Sequence, residues 1–190
     1  VIYLNKHFKN KNLSVISADF LKFDLEKFFN GEPYAITGNF PYNISTQIVF
    51  KTLEWRDQIP EFTGMFQKEV AKRICEKKGS KVYGIMSVLV QAFYDAEYLF
   101  TVPPEVFNPP PKVNSAIVKM IPRKDIHLTP KEYESLERIV SMAFAQRRKV
   151  LRNNLASVKD ILKLSDDVLG LRAQDISVED YIGWARQLIK

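Results

Sequence analysis

The chain is 190 residues long, 46% hydrophobic and 26% charged, and its 28 Lys+Arg against 22 Asp+Glu give a net charge of +6. That length holds one large domain, or one domain with a small appendage, and the apolar content suffices for a packed core rather than a disordered chain. The single cysteine, Cys75, excludes an internal disulfide and a cysteine-based zinc site, and the apolar runs are too short to span a bilayer.

Residues 1–8 carry no basic segment leading into an apolar run, so no secretory signal is read there and a cytoplasmic location is expected. Residues 13–17 form a β-branched run ending at Ala18-Asp19, and 34–38 form a second ending at Asn39. Between them, 21–30 reads as a short helical or irregular crossover. Ser45 is placed as N-cap of a helix through Glu54, with Ile48, Val49 and Leu53 on its apolar face. Residues 62–66 follow as a strand, 68–77 as a helix and 82–93 as a further helix. This rhythm predicts a parallel α/β sheet with helices on both faces.

The texture changes at Glu97. Residues 97–102 read as a strand, and 113–121 as its partner. The loop between them holds Val106-Phe107 between Pro103-Pro104 and Pro109-Pro110-Pro111. Prolines fix φ and remove amide donors, so this loop is expected to be stiff. Residues 122–128 form a linker. From Thr129-Pro130, an N-cap followed by proline at the first helical position, the chain reads as helical to its end. The expected organisation is an α/β body over 1–124 and a small all-helical domain over 125–190.

Four features carry candidate chemistry. Asn39-Phe40-Pro41-Tyr42 directly follows a predicted strand, and ligands of open α/β sheets bind at the carboxyl ends of strands. An Asn side-chain oxygen and a carbonyl before a tight turn can both accept hydrogen bonds from one exocyclic amine, while a neighbouring ring stacks on the attached base. The alternative is a capped turn with a packed tyrosine. Asp19, also at an expected strand end, can accept from the adenine amine of a nucleotide-like cofactor, or it can cap the next segment. Phe107 in its proline-bounded loop suits a stacking platform, or it is tucked into the core. The segment 143–159 contains Arg147, Arg148, Lys149, Arg152 and Lys159 and no acid. On a helix Arg148 and Arg152 share a face fit for phosphates, the alternative being a solvated basic face. His7 and His127 are isolated, and no metal site is read.

The stretches Asn39-Phe40-Pro41-Tyr42-Asn43-Ile44-Ser45-Thr46, Met65-Phe66-Gln67-Lys68-Glu69-Val70-Ala71-Lys72-Arg73, Tyr83-Gly84, Phe107-Asn108-Pro109-Pro110-Pro111-Lys112-Val113-Asn114-Ser115 and Phe144-Ala145-Gln146-Arg147-Arg148-Lys149 together resemble the bacterial rRNA adenine N6-dimethyltransferases. They occur in the family's order over nearly the whole chain. The resemblance implies a Rossmann-like, S-adenosylmethionine-dependent methyltransferase with a helical C-terminal domain. It implies a monomer acting on two adjacent adenosines in a hairpin near the 3′ end of small-subunit rRNA, within the small-subunit precursor.

By the same resemblance Asn39 and the Pro41 carbonyl hold the target amine, and Tyr42 and Phe107 stack the adenine. Asp19 holds the cofactor's adenine, and Asn39 borders its methionine end. Arg147, Arg148, Lys149 and Arg152 are the expected RNA contacts, on their charge. The first glycine is Gly31, and residues 1–8 resemble the helix after the family's second strand. The chain thus resembles a member without the first strand–loop–helix–strand unit, which carries the glycine-rich cofactor loop. A large-subunit rRNA methyltransferase conferring antibiotic resistance and a non-catalytic rRNA-binding assembly factor are the alternative readings.

Overall fold

A computed structural model describes residues 1–189. In chain order its elements are α1 (Ile2–His7), α2 (Leu25–Phe28), β1 (Ile36–Asn39), α3 (Ser45–Glu54), β2 (Phe62–Gln67), α4 (Lys68–Cys75), α5 (Ile85–Gln91), β3 (Tyr94–Val102) and β4 (Ser115–Pro122). The helical remainder holds α6 (Pro130–Phe144), α7 (Leu151–Asn154), α8 (Lys159–Leu162), α9 (Asp166–Leu169) and α10 (Val178–Leu188). Single 3-10 turns occupy Arg56–Gln58, Pro104–Val106 and Ala173–Asp175.

The four strands form one sheet in the order β1-β2-β4-β3. β1 and β2 are parallel, joined through α3, whereas β4 runs antiparallel to both β2 and β3. The parallel pairing expected from the first two-thirds is that of β1 with β2, and the sheet as a whole is mixed, because β3 returns to β4 through the proline loop without the crossover helix that would set them parallel. One sheet face is the apolar one. Phe62, Phe66, Ala116, Val118 and Met120 are buried on it, and Ile48, Val49 and Leu53 of α3 belong to the same core, as do Val70, Ala71 and Ile74 of α4.

Several local expectations are corrected. Residues 13–17 form no strand: their amides have no ladder partner, and β1 stands at the sheet edge. The helix expected over 82–93 is shortened to α5, because Gly84 is extended and its amide is capped by the Ser87 hydroxyl at 3.1 Å. β3 consequently begins at Tyr94, three residues before the expected start. Ser45 is the first helical residue rather than the N-cap, since its hydroxyl points back and donates to the Tyr42 carbonyl at 3.0 Å. After Thr129 the chain is helical as expected, in separate helices of which the first, α6, ends at Phe144.

α6 starts as its sequence dictates. The Thr129 hydroxyl accepts from the Glu132 amide at 3.2 Å, and the Glu132 carboxylate accepts from the Thr129 amide at 2.7 Å. The buried face of α6, with Leu136, Ile139, Val140 and Ala143, packs against Tyr181, Ile182 and Ala185 of α10. Arg123, at the end of β4, joins the sheet to α10: it donates to the Gln91 carbonyl and to Glu179, both at 3.0 Å, and to Asp125. These partners raise the Arg123 pKa further and lower that of Asp125, chiefly through their mutual hydrogen bond.

Candidate active site

Asn39 closes β1 opposite Met65, while Gln67 at the end of β2 and Val102 at the end of β3 both lie opposite Ser115, the first residue of β4. All of these residues stand at one end of the sheet. The two chain segments of interest, 39–42 and the proline loop 103–114, leave from that end.

The first segment is held by its second residue. The Phe40 side chain is buried and lies on the sheet over Gly38 and Gly64, which face each other in register. A Cβ on Gly38 would meet the Phe40 ring at 3.0 Å, and one on Gly64 would collide with it. Phe62 and Phe66 complete the pocket, with ring centroids 5.4 and 5.7 Å from that of Phe40. Burying a ring of this size contributes about 1.5–3 kcal/mol, enough to fix the turn that follows.

That turn is closed by its own backbone. The Pro41 carbonyl accepts from the Ile44 amide at 3.2 Å, leaving one lone pair unused. The Tyr42 carbonyl takes the Ser45 hydroxyl, and the Tyr42 and Ser115 hydroxyls are hydrogen-bonded at 2.5 Å. Asn39 and Pro41 are exposed, Tyr42 is half-buried, and the Asn39 amide has no hydrogen-bond partner among the described residues. Two acceptors and an aromatic ring therefore face solvent on a fixed backbone.

Phe107 is half-buried in the second loop, after the 3-10 turn Pro104–Val106, and its amide donates to the Pro104 carbonyl at 3.1 Å. The loop starts at Val102 and ends at Ser115, which are paired across β3 and β4. Ser115 also holds Tyr42, so one residue stitches the Phe107 loop to the Asn39 turn. Beside it, Gln67, Lys68, Glu69, Lys112, Val113 and Asn114 line an open cleft of about 360 Å³. Another cleft, of about 390 Å³, lies at the opposite end of the sheet around Arg56, Phe93 and Leu128, away from all of these groups.

Asp19 does not end a strand. It opens a turn in which its Oδ1 accepts from the Leu21 amide at 3.0 Å, while Lys22 lies 3.7 Å from Oδ2. The carboxylate is exposed. Phe20, the next residue, packs 6.4 Å from Phe40 and 6.0 Å from Trp55 between ring centroids. The residues that follow Asp19 and Asn39 thus share one aromatic cluster, which brings the two polar groups to the same side of the body.

The basic segment is not one helix. Between α6 and α7 the chain turns over residues 145–150, so Arg148 and Arg152 do not share a helical face. Arg147 donates through Nη2 to the Lys81 and Tyr83 carbonyls, both at 2.8 Å. Arg152 pairs with Asp166 at 2.9 Å. Arg148 and Lys149 are exposed, without an acidic partner among the described residues. Among the described residues no group of His, Cys, Asp and Glu could hold a metal ion, and no helix is long and apolar enough to cross a membrane.

Sequence reasoning missed three groups. Ser115 is an ordinary serine until its strand register is known. The glycines under Phe40 had a signal, because both strands carry Thr-Gly, at 37–38 and 63–64. The cations Lys72 and Lys81 stand near Arg147 only through the fold.

Comparison with known proteins points one way. The family described as "Ribosomal RNA adenine dimethylase" matches residues 2–186. A protein of Flavobacterium johnsoniae named "Ribosomal RNA small subunit methyltransferase A" is 54% identical over 183 residues, which cover 96% of this chain and 70% of that protein. The protein of that name from Phocaeicola vulgatus is 47% identical over 190 residues, covering 99% and 68%. Among solved structures, a dimethyladenosine transferase from Plasmodium falciparum superposes with a TM-score of 0.76 at 24% identity, covering 95% of this chain and 73% of that one. The 23S rRNA methyltransferase ErmE gives a TM-score of 0.67, also at 24% identity, covering 100% and 76%. These two likenesses speak to the fold.

Proposed function

Since the chain belongs to the ribosomal RNA adenine dimethylase family, whose members are S-adenosylmethionine-dependent, we propose that it dimethylates N6 of each of two adjacent adenosines in a hairpin near the 3′ end of small-subunit rRNA. The observation that carries this reading is the turn at Asn39–Tyr42. It presents a free amide oxygen and a carbonyl with an unused lone pair beside an aromatic ring.

The chemistry follows from the substrate. The lone pair of an adenine N6 is delocalised into the ring and is a poor nucleophile. When Asn39 Oδ1 and the Pro41 carbonyl each accept one N6 hydrogen, the nitrogen is held pyramidal and its lone pair becomes available for attack, and the proton it sheds on methylation leaves to the solvent to which both residues are exposed. Such acceptors favour the transition state over the planar ground state and need no reorganisation, because Phe40 anchors the turn. Tyr42 and Phe107 hold the flipped base by stacking. The absence of a histidine beside the turn is no obstacle, since polarisation by two acceptors does not need a strong base.

The cofactor supplies an electrophilic methyl group on a sulfonium when bound. The residues present fit it on one side: Asp19, with an exposed carboxylate, would take the adenine amine, and Asn39 would border the methionine end. The helical part, 125–190, is the RNA-recognition unit of this reading, and 1–124 the methyltransferase body. Arg148, Lys149 and Arg152 track RNA phosphates, with Arg147 anchoring the turn that carries them. The partner is the small-subunit precursor, met in the cytoplasm by a monomer.

The test compares methyl transfer and RNA affinity for Asn39→Ala and the unsubstituted protein, with cofactor binding followed by calorimetry. Methyl transfer should fall about 10²–10³-fold with RNA affinity nearly unchanged, as for loss of one donor or acceptor at a reacting centre. Near-normal turnover of the variant removes Asn39 from the mechanism.

A further inference from the structure

The cations that sequence inspection singles out are in the helical part, yet the fold gathers others against them. Lys72 and Arg73 stand in the last turn of α4, and Lys81 lies in the segment before α5. Together with Glu69, Val82 and Arg147 they line a cleft of about 300 Å³ between the body and the turn after α6. Four of its six lining residues are cationic and one is acidic. None of the four cations has a carboxylate partner among the described residues.

Arg147 differs from the others in what it does. Its guanidinium is fixed by the two carbonyls of Lys81 and Tyr83 and lies 5.8 Å from the Phe144 ring. It binds the backbone of the residue whose side chain enters the cleft. Removing it releases the Lys81 carbonyl and lets the Lys81 side chain swing away from α4, while Tyr83 stays packed on Phe144.

The cleft also has a direction. Glu69 lines both this cleft and the one beside Ser115, so α4 forms a continuous wall from that end of the sheet to the Arg147 turn. Lys68 and Lys112 extend the positive lining at the sheet end. A polyanion whose one residue sits at the Asn39 turn would run along exactly this wall.

From this geometry, and resting on the function proposed above, we infer that the α4–Lys81 cleft holds the RNA backbone flanking the target adenosines. Lys72 and Lys81 contact phosphates, and Arg147 is a positioning residue that sets Lys81 rather than a phosphate ligand. Each phosphate neutralised by a cation releases condensed counterions, which gives the site a measurable signature in salt.

The experiment titrates an RNA stem-loop with two adjacent loop adenosines into the full chain at several salt concentrations, with melting temperatures alongside. Lys72→Gln/Lys81→Gln should bind more weakly and lower the slope of log affinity against log salt by about 0.7–0.9 per cation removed, with an unchanged melting temperature. Arg147→Lys keeps the charge, but its ammonium stops one bond short of the Nη2 position that reaches both carbonyls, so it should melt lower and lose slope as the lysine pair does. A double-lysine variant with the slope of the unsubstituted protein overturns the cleft while leaving the proposed function standing. An Arg147→Lys variant that binds normally overturns the positioning role. Failure of the unsubstituted chain to bind this RNA at all overturns both the cleft and the proposed function.

Discussion

The ring of Phe40 occupies the space that a side chain on Gly64 would need. Gly64 is in the middle of β2, paired with Gly38 on one side and Val118 on the other, so its backbone cannot move aside without breaking two ladders. Gly64→Ala should therefore displace Phe40 and with it the Asn39 turn. The expected cost is about 1–3 kcal/mol in stability, as for overpacking elsewhere. Methyl transfer should fall further than the melting temperature explains, and retained activity in a destabilised variant would show that the turn does not depend on this ring.

The link between Tyr42 and Ser115 separates two roles of the tyrosine. Tyr42→Phe keeps the ring and loses the hydroxyl, so adenine capture should survive while stability drops by about 0.5–1.5 kcal/mol. Tyr42→Ala should weaken capture by about 1–3 kcal/mol, the usual worth of a base–aromatic stack. Equal losses in the two variants would assign the residue to structure alone.

Phe107→Ala should behave as Tyr42→Ala does in RNA or adenosine binding, with little change in melting temperature, because the ring is only half-buried and its loop is held by Val102 and Ser115 at either end. Unfolding on truncation would place Phe107 in the core instead.

Stability should fall in alkali. Burial raises the pKa values of Tyr83, Tyr94 and Tyr181 above the ordinary value of 10.0. Their folded forms favour the neutral phenol. The associated stability is fully present below the unfolded pKa and is lost as pH rises through the ordinary tyrosine range and beyond. A melting temperature followed from pH 8 upward should decline from about pH 10, and Tyr83→Phe should soften the decline, since the Tyr83 hydroxyl is buried without a hydrogen-bond partner. A flat profile would exclude this linkage.

Local chemistry made much of this molecule readable in advance. The N-cap at Thr129, the strand over 62–66 and the proline-stiffened hairpin loop each follow from residues adjacent in sequence. What stayed hidden depends on register. The run at 13–17 has strand-forming residues, but strand formation needs a hydrogen-bonding neighbour, which composition cannot supply. The helical extrapolation through Arg148 and Arg152 failed for a similar reason: the backbone between α6 and α7 is turned by contacts with Lys81 and Tyr83, more than 60 positions earlier. The Asn39 turn was recognisable from its own residues, whereas its dependence on Gly64 and Ser115 was not.

Arg123 and Arg147 fasten the helical part to the body at two separated points, one through Gln91 and Glu179 and the other through Lys81 and Tyr83. Two fastenings remove a degree of freedom that one would leave, much as a second bolt stops a bracket from pivoting. On the function proposed above, the interval between the Arg148-bearing turn and Asn39 would act as a fixed gauge, and an RNA whose backbone cannot span it would be rejected by length before any base is read.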